Sequence, residues 1–208
     1  KSEKILFIFL ICLSLFAFTS FFLLKNKCLS IEKVNLNNLN FDNPNNIVVM
    51  NLECGNVLIE LYPDVAPKSV DRFKTLIKEK MYDGSAFYKV VENTLVQAGD
   101  IEFGNIKFLE YSKVGSGVSG LGLLKSELSD EFEFTEGSVG FSRSTEFDTE
   151  DSEFFITLKK IPIYQGEYTP IGRVTHGLDI LQTIKKGDKS IYVLRPDYIN
   201  TIRMLNSN

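Results

Sequence analysis

Few side chains in this 208-residue chain are marked for chemistry by type and spacing alone. His176 is the single histidine, which rules out a zinc site of several imidazoles and leaves a Ser/His/Asp hydrolase dependent on one residue. It precedes Gly177 at a strand-to-helix turn, where a surface or capping role suits it better than that of a base. Cys12, Cys28 and Cys54 are an odd count, with Cys12 inside an apolar run. They imply no disulfide framework, although a Cys28 to Cys54 bridge stays open in an oxidising compartment. Gly115-Ser-Gly117-Val-Ser-Gly120 spells a dinucleotide-binding string, but no clear strand precedes it and no βαβ unit surrounds it, so it reads as a flexible loop. Lys89 taken alone is an ordinary strand lysine; only its setting, Phe87-Tyr-Lys-Val-Val91, makes it a candidate. No metal and no cofactor are expected.

Charge narrows the partners. The formal net charge is -4, and phosphate binding needs a basic stripe that releases counterions, so nucleic acid is not expected as a partner. Between Glu127 and Glu153 ten acids face one base, Arg143, for a net -9. A field of that size favours clients with Lys or Arg near the contact, while a merely solvated acidic face explains it equally well. With 44% hydrophobic and 24% charged residues the composition is globular, and seventeen Phe with no Trp point to an aromatic-rich core.

Ile5 to Leu24 is an uncharged run of twenty residues with Lys1 and Lys4 before it and Lys25 and Lys27 after it. At 1.5 Å per residue it spans about 30 Å, one hydrocarbon core. Residues 1–27 therefore read as a signal anchor, or as a signal peptide if the leader is cleaved, and 28–46 as a linker. A single domain of 47–205 and a 206–208 tail follow. Its strands are expected at Val48 to Leu52 and Val57 to Leu61 around Cys54-Gly55, then at Phe87 to Val91, Leu95 to Ala98, Ser138 to Ser142, Phe154 to Leu158, Tyr168 to Val174 and Ile199 to Leu205. Pro67 opens a helix whose Val70, Phe73, Leu76 and Ile77 share a face, and a second helix is expected near Leu178 to Lys185. Ile101 to Glu136 reads as a long excursion. Many short strands with two helices predict an all-β barrel or sandwich.

Several linked strings carry a resemblance. Ile59-Glu-Leu-Tyr-Pro-Asp-Val-Ala-Pro67-Lys-Ser-Val-Asp-Arg-Phe73, Met81-Tyr-Asp-Gly-Ser-Ala-Phe-Tyr88-Lys89-Val-Val, Val96-Gln97-Ala-Gly-Asp100, Gly137-Ser-Val-Gly-Phe-Ser-Arg143-Ser144, Ser152-Glu153-Phe154-Phe155-Ile156 and Gly166-Glu-Tyr168-Thr-Pro-Ile-Gly172-Arg-Val together resemble the cyclophilins, in family order over about Ile47 to Leu205. The wording is most similar to bacterial extracytoplasmic members. The resemblance implies a closed eight-stranded antiparallel barrel capped by two α-helices, and a peptidyl-prolyl cis-trans isomerase that acts on X-Pro bonds in protein folding. It implies proline-containing polypeptide clients, a monomer, and a cell-envelope location: anchored in the inner membrane with the domain in the periplasm, or secreted there if the leader is cleaved.

Rotation about an X-Pro bond is blocked by about 18 to 20 kcal/mol of lost resonance. In the family an apolar pocket grips the proline ring while an arginine donates toward the prolyl nitrogen. Carried over by position, the resemblance puts Lys89 in the arginine's place and Tyr88 in that of the neighbouring histidine. Substrate-binding positions fall on Thr94, Leu95, Gln97, Arg143, Ser144, Glu153, Phe155, Ile163, Tyr164 and Tyr168. Lysine keeps the charge but loses the planar fork. Glu153 stands where a glutamine normally contacts substrate backbone, and a carboxylate cannot donate as an amide does. Lys89 and Glu153 are expected to form an ion pair that lowers turnover while proline binding is kept. Ile163, in place of an aromatic residue, predicts poor affinity for cyclosporin. The other reading on the same fold is a catalytically weak proline-binding chaperone or scaffold. Either way, the Lys89 amine and the Phe155 ring have to share one face of the sheet.

Overall fold

In this computed structural model the residues described are 2–25, 28, 29, 31, 34–36, 39–188 and 192–206. Lys1, Lys27, linker positions 30, 32, 33, 37 and 38, and the last two residues of the 206–208 tail lie outside them. Two compact units divide the chain, 1–32 and 33–208. In the first, Ser2–Lys25 is one helix, α1, and its Lys4–Phe21 window has a mean hydropathy of 2.3. That length and composition are sufficient to cross a membrane. Of the cysteines, Cys12 is free and exposed.

The second unit is built on eight antiparallel strands. Alternating apolar residues give β1 (Ile47–Leu52) and β2 (Gly55–Leu61), a hairpin in full register from Ile47 opposite Glu60 to Leu52 opposite Gly55. Helix α2 (Pro67–Lys78) starts with Pro at its first turn, where the missing N–H costs nothing, and buries Val70, Phe73, Leu76 and Ile77. Its exposed first amides are satisfied from far along the chain. Lys68 N donates to Glu127 Oε1 at 3.1 Å, and Ser69 N and Oγ both donate to Oε2 at 2.8 Å. A carboxylate at this end also meets the positive pole of the helix.

Then come β3 (Lys89–Val91) and β4 (Leu95–Ala98), a small ribbon β5 (Gly104–Asn105) with β6 (Phe108–Leu109), and β7 (Ser138–Phe141), β8 (Phe154–Thr157) and β9 (Pro170–His176). Helix α3 (Leu178–Gln182) and β10 (Thr201–Met204) complete the unit. The sheet order is β10-β1-β2-β9-β7-β8-β4-β3.

The sheet is open, which corrects the expected closed barrel. Strands β3 and β10 are its two edges, and among the described residues the segment before β10 meets β3 and its approach through isolated bridges, at Lys89 to Tyr192 and Ala86 to Tyr198. Pro196 interrupts that segment and has no N–H to give a continuous ladder. Pro170, opposite Gly140, falls where the β7–β9 register shifts, as expected of a strand residue that cannot donate.

Side-chain alternation decides what each face carries. One face holds Ala98, Phe154 and Phe141 in register, under α2, where Phe73 meets Phe154 at 5.2 Å and Phe141 at 6.1 Å between ring centroids. Tyr82 closes this core, its hydroxyl donating to Ser152 O at 2.7 Å. The opposite face carries the candidate site.

Candidate active site

Four strands place four residues in one row: Lys89 opposite Gln97, Gln97 opposite Phe155, and Phe155 opposite Gly140. Directly opposed residues point to the same side, so Lys89 and Phe155 share a face, their backbones two strand spacings, or roughly 10 Å, apart. Gly140 is glycine because the ring fills its place: a Cβ there would lie 2.6 Å from Phe155 Cζ and 2.9 Å from Phe134 Cε1.

The polar half of the row is a hydrogen-bonded cluster. The Tyr88 hydroxyl donates to Glu153 Oε2 at 2.5 Å and accepts from Gln97 Nε2 at 2.5 Å. Gln97 Nε2 also reaches Glu153 Oε2 at 2.8 Å and Ser142 Oγ at 3.0 Å. Glu153 turns its carboxylate inward to these partners. Burial pushes its pKa from 4.5 up to about 6, against the lowering effect of the Tyr88 and Gln97 bonds and of the Lys89 charge. Burial, then the Glu153 charge, raises the Tyr88 phenol well above its ordinary range.

The expected Lys89–Glu153 ion pair is absent among the described residues. Tyr88, standing where the family has histidine, takes the carboxylate instead, and Lys89 is half-buried, with no hydrogen-bond or ion-pair partner for its amine among the described residues. It contributes to a groove of about 490 Å³ together with Tyr88, Gln97, Arg143, Ser144 and Glu153.

The apolar half is separate. Leu95, Phe134, Phe155 and Ile161 form a buried cluster with Tyr164 and Tyr168 packed against it. Phe155 meets Tyr164 at 5.3 Å and Tyr168 at 5.2 Å, leaving it 2% exposed. In the apolar pocket expected to grip the proline ring, Phe155 is thus covered by two tyrosines. Arg143 links the halves: its guanidinium lies 4.2 Å from the Phe147 ring centre and 4.9 Å from that of Tyr168, while it donates to Glu167 Oε2 at 3.2 Å.

Thr94 and Ile163 stay outside both halves. The Thr94 hydroxyl turns back to Glu92 O at 3.0 Å, and Ile163, on the turn Pro162–Tyr164, is 78% exposed. His176 is half-buried at the end of β9, its Nδ1 3.2 Å from Thr175 Oγ1 and outside the groove. Sequence reasoning missed Ser142, Phe134, Tyr192 and the 115–118 segment. The last had a signal in Asp100, whose carboxylate accepts from Gly115 N at 2.6 Å and Gly117 N at 3.1 Å. The glycine string is therefore a mount for a buried carboxylate, with no room at Gly117 for a Cβ, which would fall 2.1 Å from Asp100 Oδ1.

Part of the acidic stretch is built into the fold, while Asp130, Glu131, Glu133, Glu136, Glu146 and Asp148 stay exposed. Glu127 caps α2, Asp151 pairs with Arg72 at 2.7 Å with both side chains about nine-tenths buried, Glu133 pairs with Lys160, and Glu153 belongs to the cluster above.

Comparison with known proteins bears on this arrangement. The profile of the cyclophilin type peptidyl-prolyl cis-trans isomerase/CLD family matches residues 47–204. A protein of Brucella suis biovar 1 described as "Probable peptidyl-prolyl cis-trans isomerase" is 40% identical over 148 residues, 71% of this chain and 75% of the relative. A peptidyl-prolyl cis-trans isomerase of Schizosaccharomyces pombe is 32% identical over 137 residues, 64% of this chain and 81% of the relative. Among solved structures, a Cryptosporidium parvum cyclophilin type isomerase crystallised in the presence of the dipeptide Ala-Pro superposes with a TM-score of 0.66 at 24% identity, covering 78% of this chain and 99% of that one. The chain belongs to the cyclophilin-type peptidyl-prolyl cis-trans isomerase family and is an isomerase of X-Pro peptide bonds.

Proposed function

We propose that isomerisation in this chain runs through Lys89, with the proline ring seated against the aromatic cluster and the flanking client backbone lying in the groove. As the amide twists, resonance is lost and the lone pair returns to the prolyl nitrogen. A cation aimed at that nitrogen stabilises charge that is absent from either planar form, and only such differential binding accelerates the step. The observation that carries the reading is the row Lys89, Gln97, Phe155 and Gly140 on one face.

Turnover is reduced for two reasons. A lysine ammonium lacks the arginine fork, so its direction is set by a flexible stem. The proline ring must also displace or stack on Tyr164 and Tyr168, because Phe155 beneath them is covered. The lysine at 89, which weakens catalysis without touching the proline seat, is what a second reading rests on, a proline-binding chaperone with feeble catalysis.

One experiment separates them. In a protease-coupled isomerisation assay with a short X-Pro peptide, the full chain turns over substrate and Lys89→Ala loses roughly ten- to hundredfold in kcat/KM, or about 1.4 to 2.7 kcal/mol. Equal rates in the two proteins would remove Lys89 from the mechanism.

The clients are proline-containing chains outside the cytoplasm, and the domain works in the bacterial envelope tethered by α1. Support comes from the apolar α1 and the bacterial relatives.

A further inference from the structure

Next to the groove lies a second hollow of about 360 Å³, lined by Leu109, Tyr111, Val114, Val193 and Leu194. Tyr88 and Tyr192 close its remaining side, and the same two residues line the groove. Their rings stack with centroids 6.4 Å apart and planes 22° apart, so the two hollows share one aromatic wall. Among the described residues no Asp, Glu, Lys or Arg belongs to the lining. Tyr111, Tyr192 and Leu194 nonetheless remain 54%, 47% and 45% exposed, which leaves apolar surface in water at the edge of a peptide-binding groove.

The hollow is held open by its backbone. Val193 N donates to Tyr88 O at 3.0 Å, Leu194 N donates to Asp188 Oδ1 at 2.8 Å, and the Tyr111 hydroxyl donates to the Leu194 carbonyl. Half of the wall comes from the excursion after β4, the other half from the segment before β10. Neither half forms a site alone.

We infer that this hollow is a side-chain subsite for the client: it takes one large apolar residue, of the Leu, Met or Phe class, from the same polypeptide whose proline occupies the groove. The inference rests on the isomerase reading of that groove. Continuity through the Tyr88–Tyr192 wall makes the occupant a neighbour in the client chain and not a separate molecule. The apolar lining selects against charge, since a buried ion with no counter-ion is strongly disfavoured. A preformed hollow also binds without the cost of ordering its walls.

The test uses the full chain and a series of proline peptides in which a single Leu replaces Ala at each of the four positions on either side of the X-Pro pair. Both kcat/KM and affinity, by fluorescence anisotropy, are read for every peptide. At one or two adjacent positions the Leu peptide is expected to exceed its Ala counterpart by roughly tenfold, as partial burial of a leucine side chain gives. In Leu194→Asp and in Leu109→Asp that ratio falls to about one, and thermal melts verify that each variant is folded. A Leu/Ala ratio near one at every position in the unmodified chain overturns the inference, and so does a ratio that survives both variants. Absence of turnover with every peptide, while the affinity ratio still peaks at one position, defeats the isomerase reading of the groove and leaves the subsite standing.

Discussion

Glu153 decides how the groove responds to pH. Its carboxyl titrates at about 6 in the folded chain, raised from an ordinary 4.5 chiefly by burial, so between those values the folded state holds a proton that the unfolded state has released. Stability from this group is full below about pH 4.5 and is lost as the pH rises through 6, a change of about 2 kcal/mol. Chemical denaturation at pH 4.5 and 7 should show that fall in the native chain and a flatter profile in Glu153→Gln; parallel profiles would mean the carboxyl is not the responsible group. Lys89 gives a second expectation at this scale. Because its amine has no partner among the described residues, Lys89→Arg should raise kcat/KM by about tenfold with little change in KM, through a rigid fork that directs the same charge. A variant no faster than the native chain would place the limit in the covered Phe155 instead. The residue types at 88, 89 and 153 were all legible in the sequence, but their pairing was not. Opposite charges suggested Lys89 with Glu153, whereas the strand geometry gives the carboxylate to the phenol of Tyr88 and the amide of Gln97.

Elements were legible where periodicity is strong. The hairpin of β1 and β2, the Pro67 start of α2, and strands β4, β7 and β8 fall within a residue or two of their expected bounds, since burial on one face imposes a period that the sequence displays. The excursion was not legible. Its shape comes from carboxylates that reach backbone amides or a guanidinium across long loops, as Asp100 does to Gly115 and Asp151 to Arg72, and such contacts leave no repeat. The ribbon of β5 and β6 has two residues per strand and no pattern to detect. Gly140 on β7 shows how an element serves the site, because only a strand without a side chain there lets the Phe155 ring lie flat across it. Gly140→Ala is expected to push that ring and Phe134 aside at a cost of about 1 to 3 kcal/mol, and to weaken binding of proline peptides as well. Measured by thermal unfolding and peptide titration, a variant with native stability and native affinity would show that the ring has room to move.

For the molecule as a whole, recognition came from several strings in fixed order over nearly 160 residues, far more than any single site residue supplied, and it carried the family and the antiparallel sheet correctly. It misstated closure, because whether β3 and β10 join depends on a connecting segment interrupted by Pro196, outside every motif. The leader is a separate matter of solvent. A chain of net charge -4 is repelled by anionic bilayers, so charge alone would not keep this protein at a membrane. The apolar run of α1 would, through transfer of some twenty side chains into hydrocarbon, an effect that salt does not screen. The two causes make opposite predictions for extraction. The full chain expressed in bacteria is expected to stay with the membrane fraction through a wash at about 1 M salt, where surface charges separated by more than roughly 3 Å no longer interact, and to come off only in detergent. Release by the salt wash would show that α1 does not insert and would take the tether out of the proposed function.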